Sequence, residues 1–180
     1  KPDSQEICFV PDDDYASFVQ ERSDGLIKPG NFVDLSGKIL GKHQGIIHYT
    51  VGQRKGLGVA FGKPMFVVGL NPSSNEVVLG EDPEVYTETL WADDLNWITI
   101  SDLRAPLRVD AKIRYNSAGA PATIYPAENE FDYGVRVRFD TPQRAVTPGQ
   151  AVVFYQGNLV VGGGRIISDP RGRRKRSSKV

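Results

Sequence analysis

A mainly β chain is expected from this sequence. Short runs rich in Val, Ile, Phe, Tyr and Trp recur from residue 65 onward, Gly and Pro separate them, and only one stretch reads as a helix. That helix is Tyr15 to Arg22, with Asp12, Asp13 and Asp14 at its N-cap and first turn, Phe18 and Val19 turned inward, and Gly25 near its end. Asn31 to Leu35, a Ser36-Gly37 turn and Lys38 to Leu40 then form a hairpin, and Gly45 to Tyr49 forms a helical turn. Strands follow at Met65 to Leu70 and Glu76 to Leu79, joined by an Asn71 to Asn75 turn. Further strands are expected at Trp91 to Ile100, Leu107 to Tyr115, Ala122 to Tyr125, Tyr133 to Phe139, Ala151 to Tyr155 and Leu159 to Val161. Many short strands with almost no helix argue for a closed or nearly closed barrel. Arg108, Asp110, Lys112 and Arg114 alternate with Val109, Ala111 and Ile113, so one face is polar and the other is core. Thr147-Pro148-Gly149-Gln150 fits a type II turn, and Gly162 to Gly164 suggests a bulge or a close backbone approach.

The 180 residues suffice for one domain or two small ones, and a boundary is expected near residue 84, where Gly80 to Pro83 breaks the strand pattern. A content of 39% hydrophobic and 24% charged residues reads as a soluble globular chain. No apolar run reaches the length of a membrane span, and no signal-peptide pattern opens the chain, so no membrane association is expected. Cys8 is the single cysteine; it excludes an internal disulfide and makes a reducing, cytoplasmic compartment the default. The start at Lys1 without Met suggests a processed chain or a piece cut from something longer. Net charge is zero, but six basic residues and no acid lie in 171–180, which leaves 16 basic against 22 acidic residues elsewhere. An acidic body argues against RNA binding by bulk charge, so any RNA contact has to rest on local patches. The tail from residue 170 reads as a disordered, solvated end.

Residues 43–58 hold both histidines, three glycines suited to positive φ (Gly52, Gly56, Gly58) and the donors Gln53, Arg54 and Lys55. Two readings stand: a glycine-rich connector with a wet basic tip, or a segment that meets phosphates and base edges. His43 and His48 lack any companion Cys or carboxylate pattern, so no metal is expected and structural hydrogen bonding is the better reading.

Five features taken together carry a resemblance. They are Ile7-Cys8-Phe9-Val10, the 43–58 segment, Lys112-Ile113-Arg114-Tyr115, Ala145 to Gln150 before Val153-Phe154-Tyr155, and the triple glycine 162–164. In this order and spacing, from Lys1 to about Ser168, the chain resembles the later part of the tRNA-specific 2-thiouridylases of the MnmA type. The resemblance implies a small β-rich linking domain over 1–84, then a six-stranded β-barrel over 85–169 like the second domain of translation elongation factors.

It also implies a function: 2-thiolation of the wobble uridine of tRNA, in which ATP activates the C2 oxygen and a cysteine persulfide delivers sulfur. Cys8 would be one cysteine of that relay, its partner lying in an N-terminal ATP-binding domain that is not part of this sequence. On general grounds alone it would be a small buried hydrophobe. Asp3, Glu6 and Asp12 to Asp14 surround it in sequence and disfavour a thiolate, so activation is expected to need other parts of the enzyme or bound tRNA. Arg114, Tyr115 and Gln150 match the tRNA contacts of the family, and the chemistry agrees: Arg pairs with phosphate, Tyr stacks, Gln reads edges or hydroxyls. The bland alternative for Arg114 and Tyr115 is a pair of strand-end residues satisfying surface hydrogen bonds. Gln53, Arg54 and Lys55 are expected to contact tRNA or close over the active centre. ATP is assigned to the N-terminal domain and no cofactor to this chain, since the ATP loop Ser-Gly-Gly-x-Asp-Ser is missing and the one triple glycine is followed by Arg165. The expected partners are tRNA and a protein donating persulfide sulfur, with a monomeric state. A different class remains open: a stand-alone barrel that binds RNA or adapts between partners, without catalysis.

Overall fold

The structure is a computed structural model that describes residues 18, 19, 22, 27–60, 62–127 and 134–170. Cys8, most of the expected helix, the first residues expected for the Tyr133 to Phe139 strand, and the basic run 171–180 lie outside the described residues. The chain divides into two compact units between Val85 and Tyr86.

The first unit is built on a four-stranded sheet. Its strands are β1 (Gly30–Val33), β2 (Ile39–His43), β3 (Phe66–Asn71) and β4 (Glu76–Gly80), in the order β2-β1-β4-β3. β1 and β2 are antiparallel, as the hairpin reading requires, whereas β1 and β4 run parallel. The turn between β1 and β2 is organised by one carboxylate: Asp34 Oδ1 accepts from the backbone N–H groups of Ser36 and Lys38 at 2.8 and 3.0 Å and from the Ser36 hydroxyl at 2.6 Å. Those donors hold the Asp34 carboxyl below its ordinary value, the Ser36 hydroxyl contributing most. Phe32, Tyr49, Leu57, Met65, Val67, Val77 and Leu79 form the core of this unit. The expected helical turn is present as a single 3-10 turn, Ile46–His48.

The second unit is a closed antiparallel barrel. β5 (Tyr86–Trp97), β6 (Leu107–Lys112), β7 (Ala120–Pro126), β8 (Val135–Arg144), β9 (Ala151–Gln156) and β10 (Leu159–Ile167) run in the order β10-β5-β8-β7-β6-β9, with β9 pairing β10 to close the ring. Closure removes every edge strand. Val109, Ala111, Ala122, Ile124, Val137, Phe154 and Ile166 fill the interior, while alternate residues face outward. The six strands match the expected barrel, but most are longer than the sequence pattern suggests, β7 for example spanning Ala120–Pro126 rather than Ala122 to Tyr125. β5 begins at Tyr86 rather than Trp91, β8 continues to Arg144, and β10 runs through the triple glycine to Ile167. The strand expected over Leu107 to Tyr115 instead ends at Lys112, so Arg114 and Tyr115 belong to the connection that follows it.

Candidate nucleic-acid interface

β6 and β9 pair with Asp110 opposite Tyr155 and Lys112 opposite Val153. Because side chains alternate along a strand, Lys112, Ala151, Val153 and Tyr155 share the outer face of this pair while Ala111, Val152 and Phe154 point into the core. A pocket of about 510 Å³ opens on that outer face, and Ile113, Ala151 and Val153 are the aliphatic part of its lining. The rest of the lining is Lys112, Arg114, Tyr115, Gln150 and Tyr155. The three residues singled out from the sequence, Arg114, Tyr115 and Gln150, therefore meet at one cavity although Gln150 is far along the chain from the other two.

Each is held by an identifiable device. Arg114 donates through Nη2 to the carbonyl oxygens of Arg144 and Ala145, both at 2.9 Å. This clamp fixes the guanidinium plane and leaves Nε and Nη1, three of its five N–H donors, for an anion. Ala145, with φ +52°, ends β8 in the left-handed region and turns its carbonyl to receive both Arg114 and the Thr147 hydroxyl, the latter at 3.1 Å. The next residues form the expected type II turn: Gly149 has φ +92° at the third position, and the Gln150 N–H donates to the Thr147 carbonyl at 3.3 Å. The Gly149 N–H and the Gln150 carbonyl then bond Ile166 of β10, both at 2.7 Å, which anchors Gln150 beside the pocket. Tyr115 is 73% exposed, an unusual state for a large ring, and the Lys112 ammonium sits 5.9 Å from its centroid.

The loop of the first unit divides its three candidates. Gln53 uses its side chain internally: Oε1 accepts from the Thr50 N–H and Nε2 donates to the Lys55 carbonyl, both at 3.0 Å. Its backbone and that of Gly52 bond Val67 on β3. Gln53 is thus a clamp that shapes the loop. Arg54 and Lys55 are exposed beyond it, with the Arg54 guanidinium 5.9 Å from the Phe66 ring centroid. Gly52, Gly56 and Gly58 adopt φ of +90°, +73° and +71°, the conformations that require glycine in this run. Arg54, Lys63 and Met65 help line a second cavity of about 490 Å³, where Lys63 is paired with Glu81 at 2.5 Å.

His43 is structural in geometry, whereas His48 is exposed and meets Tyr49 edge-on at 6.4 Å between centroids. His43 Nδ1 accepts from the Gly45 N–H at 3.1 Å, which leaves Nε2 to donate to the Asn75 carbonyl at 3.2 Å. Its ring also packs edge-on against Phe32 and Tyr49, at 5.5 Å between centroids in each case. Among the described residues no group of three or more His, Cys, Asp or Glu could hold a metal ion. Sequence reasoning missed Asn75, whose side chain donates to the carbonyls of Lys28 and Pro29 at 3.0 and 3.1 Å. Its signal was its place in the Asn71 to Asn75 turn, since Asn tolerates the φ of +53° found there. Tyr155 and Lys112 stood in the motifs that carry the resemblance but were not assigned as contacts; their outward positions beside core residues carried the signal. No helix of the described residues is long and apolar enough to cross a membrane.

Two family models match the chain in order. Residues 16–81 match the tRNA methyl transferase PRC-barrel domain and residues 87–166 the aminomethyltransferase β-barrel domain. Among individual proteins, the chain is similar to the tRNA-specific 2-thiouridylase MnmA of Desulfitobacterium hafniense (strain Y51), with 66% identity covering 93% of this chain and 47% of that protein. MnmA of Acetivibrio thermocellus is 64% identical over 92% of this chain and 45% of the relative, and MnmA of Lachnoclostridium phytofermentans 57% identical over 93% and 46%. The chain thus spans about half the length of the curated relatives it matches. With both domains present in order and identities this high, the chain belongs to the family of the tRNA-specific 2-thiouridylases.

Proposed function

We propose that this chain works as the tRNA-holding part of a sulfurtransferase that replaces the C2 oxygen of the wobble uridine of tRNA with sulfur. The observation that carries the reading is the convergence of Arg114, Tyr115, Gln150 and Lys112 on one exposed pocket of the barrel. A clamped guanidinium for phosphate, an exposed ring for stacking and an amide for an edge or a hydroxyl are the donors that single-stranded RNA needs. Cys8 supplies one thiol of the sulfur relay: a thiolate attacks a sulfur centre readily and the bond formed is reversible. The sulfur arrives as a persulfide from a donor protein. Arg54 and Lys55 add a second, weaker contact to the same RNA, with Gln53 shaping the loop that presents them.

ATP is assigned to a domain outside this chain. The triple glycine is not a phosphate cradle: it lies inside β10, and a Cβ at Gly162, Gly163 or Gly164 would meet other atoms at 2.6 to 2.7 Å. No step on this chain is therefore assigned to the nucleotide.

The test is a pair of substitutions in the whole enzyme. Cys8→Ser abolishes thiolation and leaves tRNA affinity unchanged; Arg114→Ala weakens tRNA binding and lowers the slope of log K against log salt by about one. Thiolation by the Cys8→Ser enzyme at the normal rate would reduce the chain to a non-catalytic RNA-binding module.

A further inference from the structure

The pocket on the outer face of β6 and β9 has room that phosphate contacts alone do not use. Resting on the reading that this surface meets RNA, we propose that it takes one unpaired nucleobase, with Tyr155 as a second aromatic wall besides Tyr115 and Lys112 on the adjoining phosphate. A cavity of about 510 Å³ lies within the range of pockets that enclose a small planar ligand, about 300 to 1,000 Å³. The part of its lining made by Ile113, Ala151 and Val153 is aliphatic, which favours a base over a sugar or phosphate. On the far side of β9 the residue facing Val153 is Gly163, which has no side chain to cover that part.

The two rings border the same cavity from different elements. Tyr115 comes from the connection after β6, and Tyr155 stands on β9, half-buried and fixed by pairing with Asp110 and Val160. A base that enters gains an aromatic face whatever its identity, so the site selects an unstacked nucleotide rather than a sequence. Paired RNA cannot use it, because its bases are already stacked and only its backbone and groove edges are presented. The cationic groups Lys112 and Arg114 border the same cavity, within reach of the backbone of an inserted nucleotide. Asp110, the nearest acid on β6, lines a neighbouring cavity of about 330 Å³ and not this one.

The experiment uses the whole enzyme and a hairpin RNA carrying 2-aminopurine at one loop position, compared with the same hairpin made abasic there and with a fully paired duplex. Wild-type protein is expected to quench the 2-aminopurine and to bind the intact loop about tenfold more tightly than the abasic one. Tyr155→Leu should remove both the quenching and the tenfold difference while duplex binding stays unchanged; Tyr155→Phe, which keeps the ring, should restore them. If Tyr155→Leu leaves the difference intact, or weakens loop and duplex binding alike, the base pocket is overturned and the phosphate reading survives. If Arg114→Ala also leaves every RNA affinity unchanged, the RNA reading of this surface falls with it.

Discussion

His43 shows how one residue of the first unit links its loop to its sheet and to pH. The ring is 2% exposed, and burial pushes its pKa below the ordinary 6.5 despite the hydrogen bond to Asn75, with the nearby His48 acting in the same direction. The unfolded chain binds a proton at this side chain near pH 6.5, whereas the folded chain resists it until lower pH. The unfolded state therefore holds more protons in the window just below 6.5, and stability falls as pH drops through it, by at most about 1.4 kcal/mol per pH unit. Above 6.5 the contribution is complete and flat. Urea midpoints at pH 7.5 and 5.5 check this: the wild type loses stability between them, and His43→Gln, which cannot titrate, loses less. Equal losses would place the pH dependence elsewhere. The local geometry is closely determined, since a Cβ at Gly30 would lie 2.1 Å from the Asn75 carbonyl oxygen and 2.6 Å from His43 Nε2.

Strands that carry their own hydrophobic alternation, such as β6 and β9, were legible in the sequence, and so were the Thr147 to Gln150 turn and the shared polar face of Arg108, Asp110 and Lys112. The missing parts of β8 and β10 were not, because Asp-Thr-Pro-Gln-Arg and Gly-Gly-Gly have little strand propensity of their own and are held by the neighbours that close the ring; the start of β5, Tyr-Thr-Glu-Thr-Leu, has the β-branched and aromatic residues of a strand and was simply not read as one. The same limit applies to the candidate site. The donors at Arg114, Tyr115 and Gln150 could be named from their types and the family likeness, but only closure of the barrel brings the β8–β9 turn beside the β6–β7 connection. Gln53 was read as an outward amide because a sequence does not display the two backbone groups that occupy it. β10 offers a direct test of close approach. A Cβ at Gly162 would sit 2.6 Å from Trp97 Cε3 and 2.7 Å from the Asn96 carbonyl oxygen, whereas one at Gly157, with φ +58°, meets nothing within 4 Å. Gly157→Ala then costs only backbone strain, about 1 kcal/mol, and Gly162→Ala costs about 3 kcal/mol because β5 must move. Denaturant titration of both variants reads the order, and the reverse order would mean that the bulge in β10 can absorb a methyl group.

At the scale of the whole molecule, charge decides how RNA can be held. Outside residues 171–180 the chain carries 16 basic and 22 acidic residues, and several of the basic groups are already engaged: Arg108 pairs with Asp140, Arg165 with Asp94 at 2.6 Å, and Lys63 with Glu81. The Arg108 pairing lifts the guanidinium further above its ordinary value and holds the Asp140 carboxyl below its own, so neither loses its charge near neutral pH. Such a body offers no broad positive field for RNA, so on the proposed reading the affinity of this chain would rest on few contacts at the barrel pocket. If Lys112 and Arg114 each meet one phosphate, as proposed, the slope of log K against log salt is about −1.4 for single-stranded RNA. The six basic residues of 171–180 would add about four more if they engaged the backbone. Removing that segment is expected to change the slope by less than about one, while Lys112→Ala and Arg114→Ala each lower its magnitude by about 0.7. A slope that collapses when the segment is removed, with both pocket variants binding normally, would move the electrostatic work from the barrel to the tail.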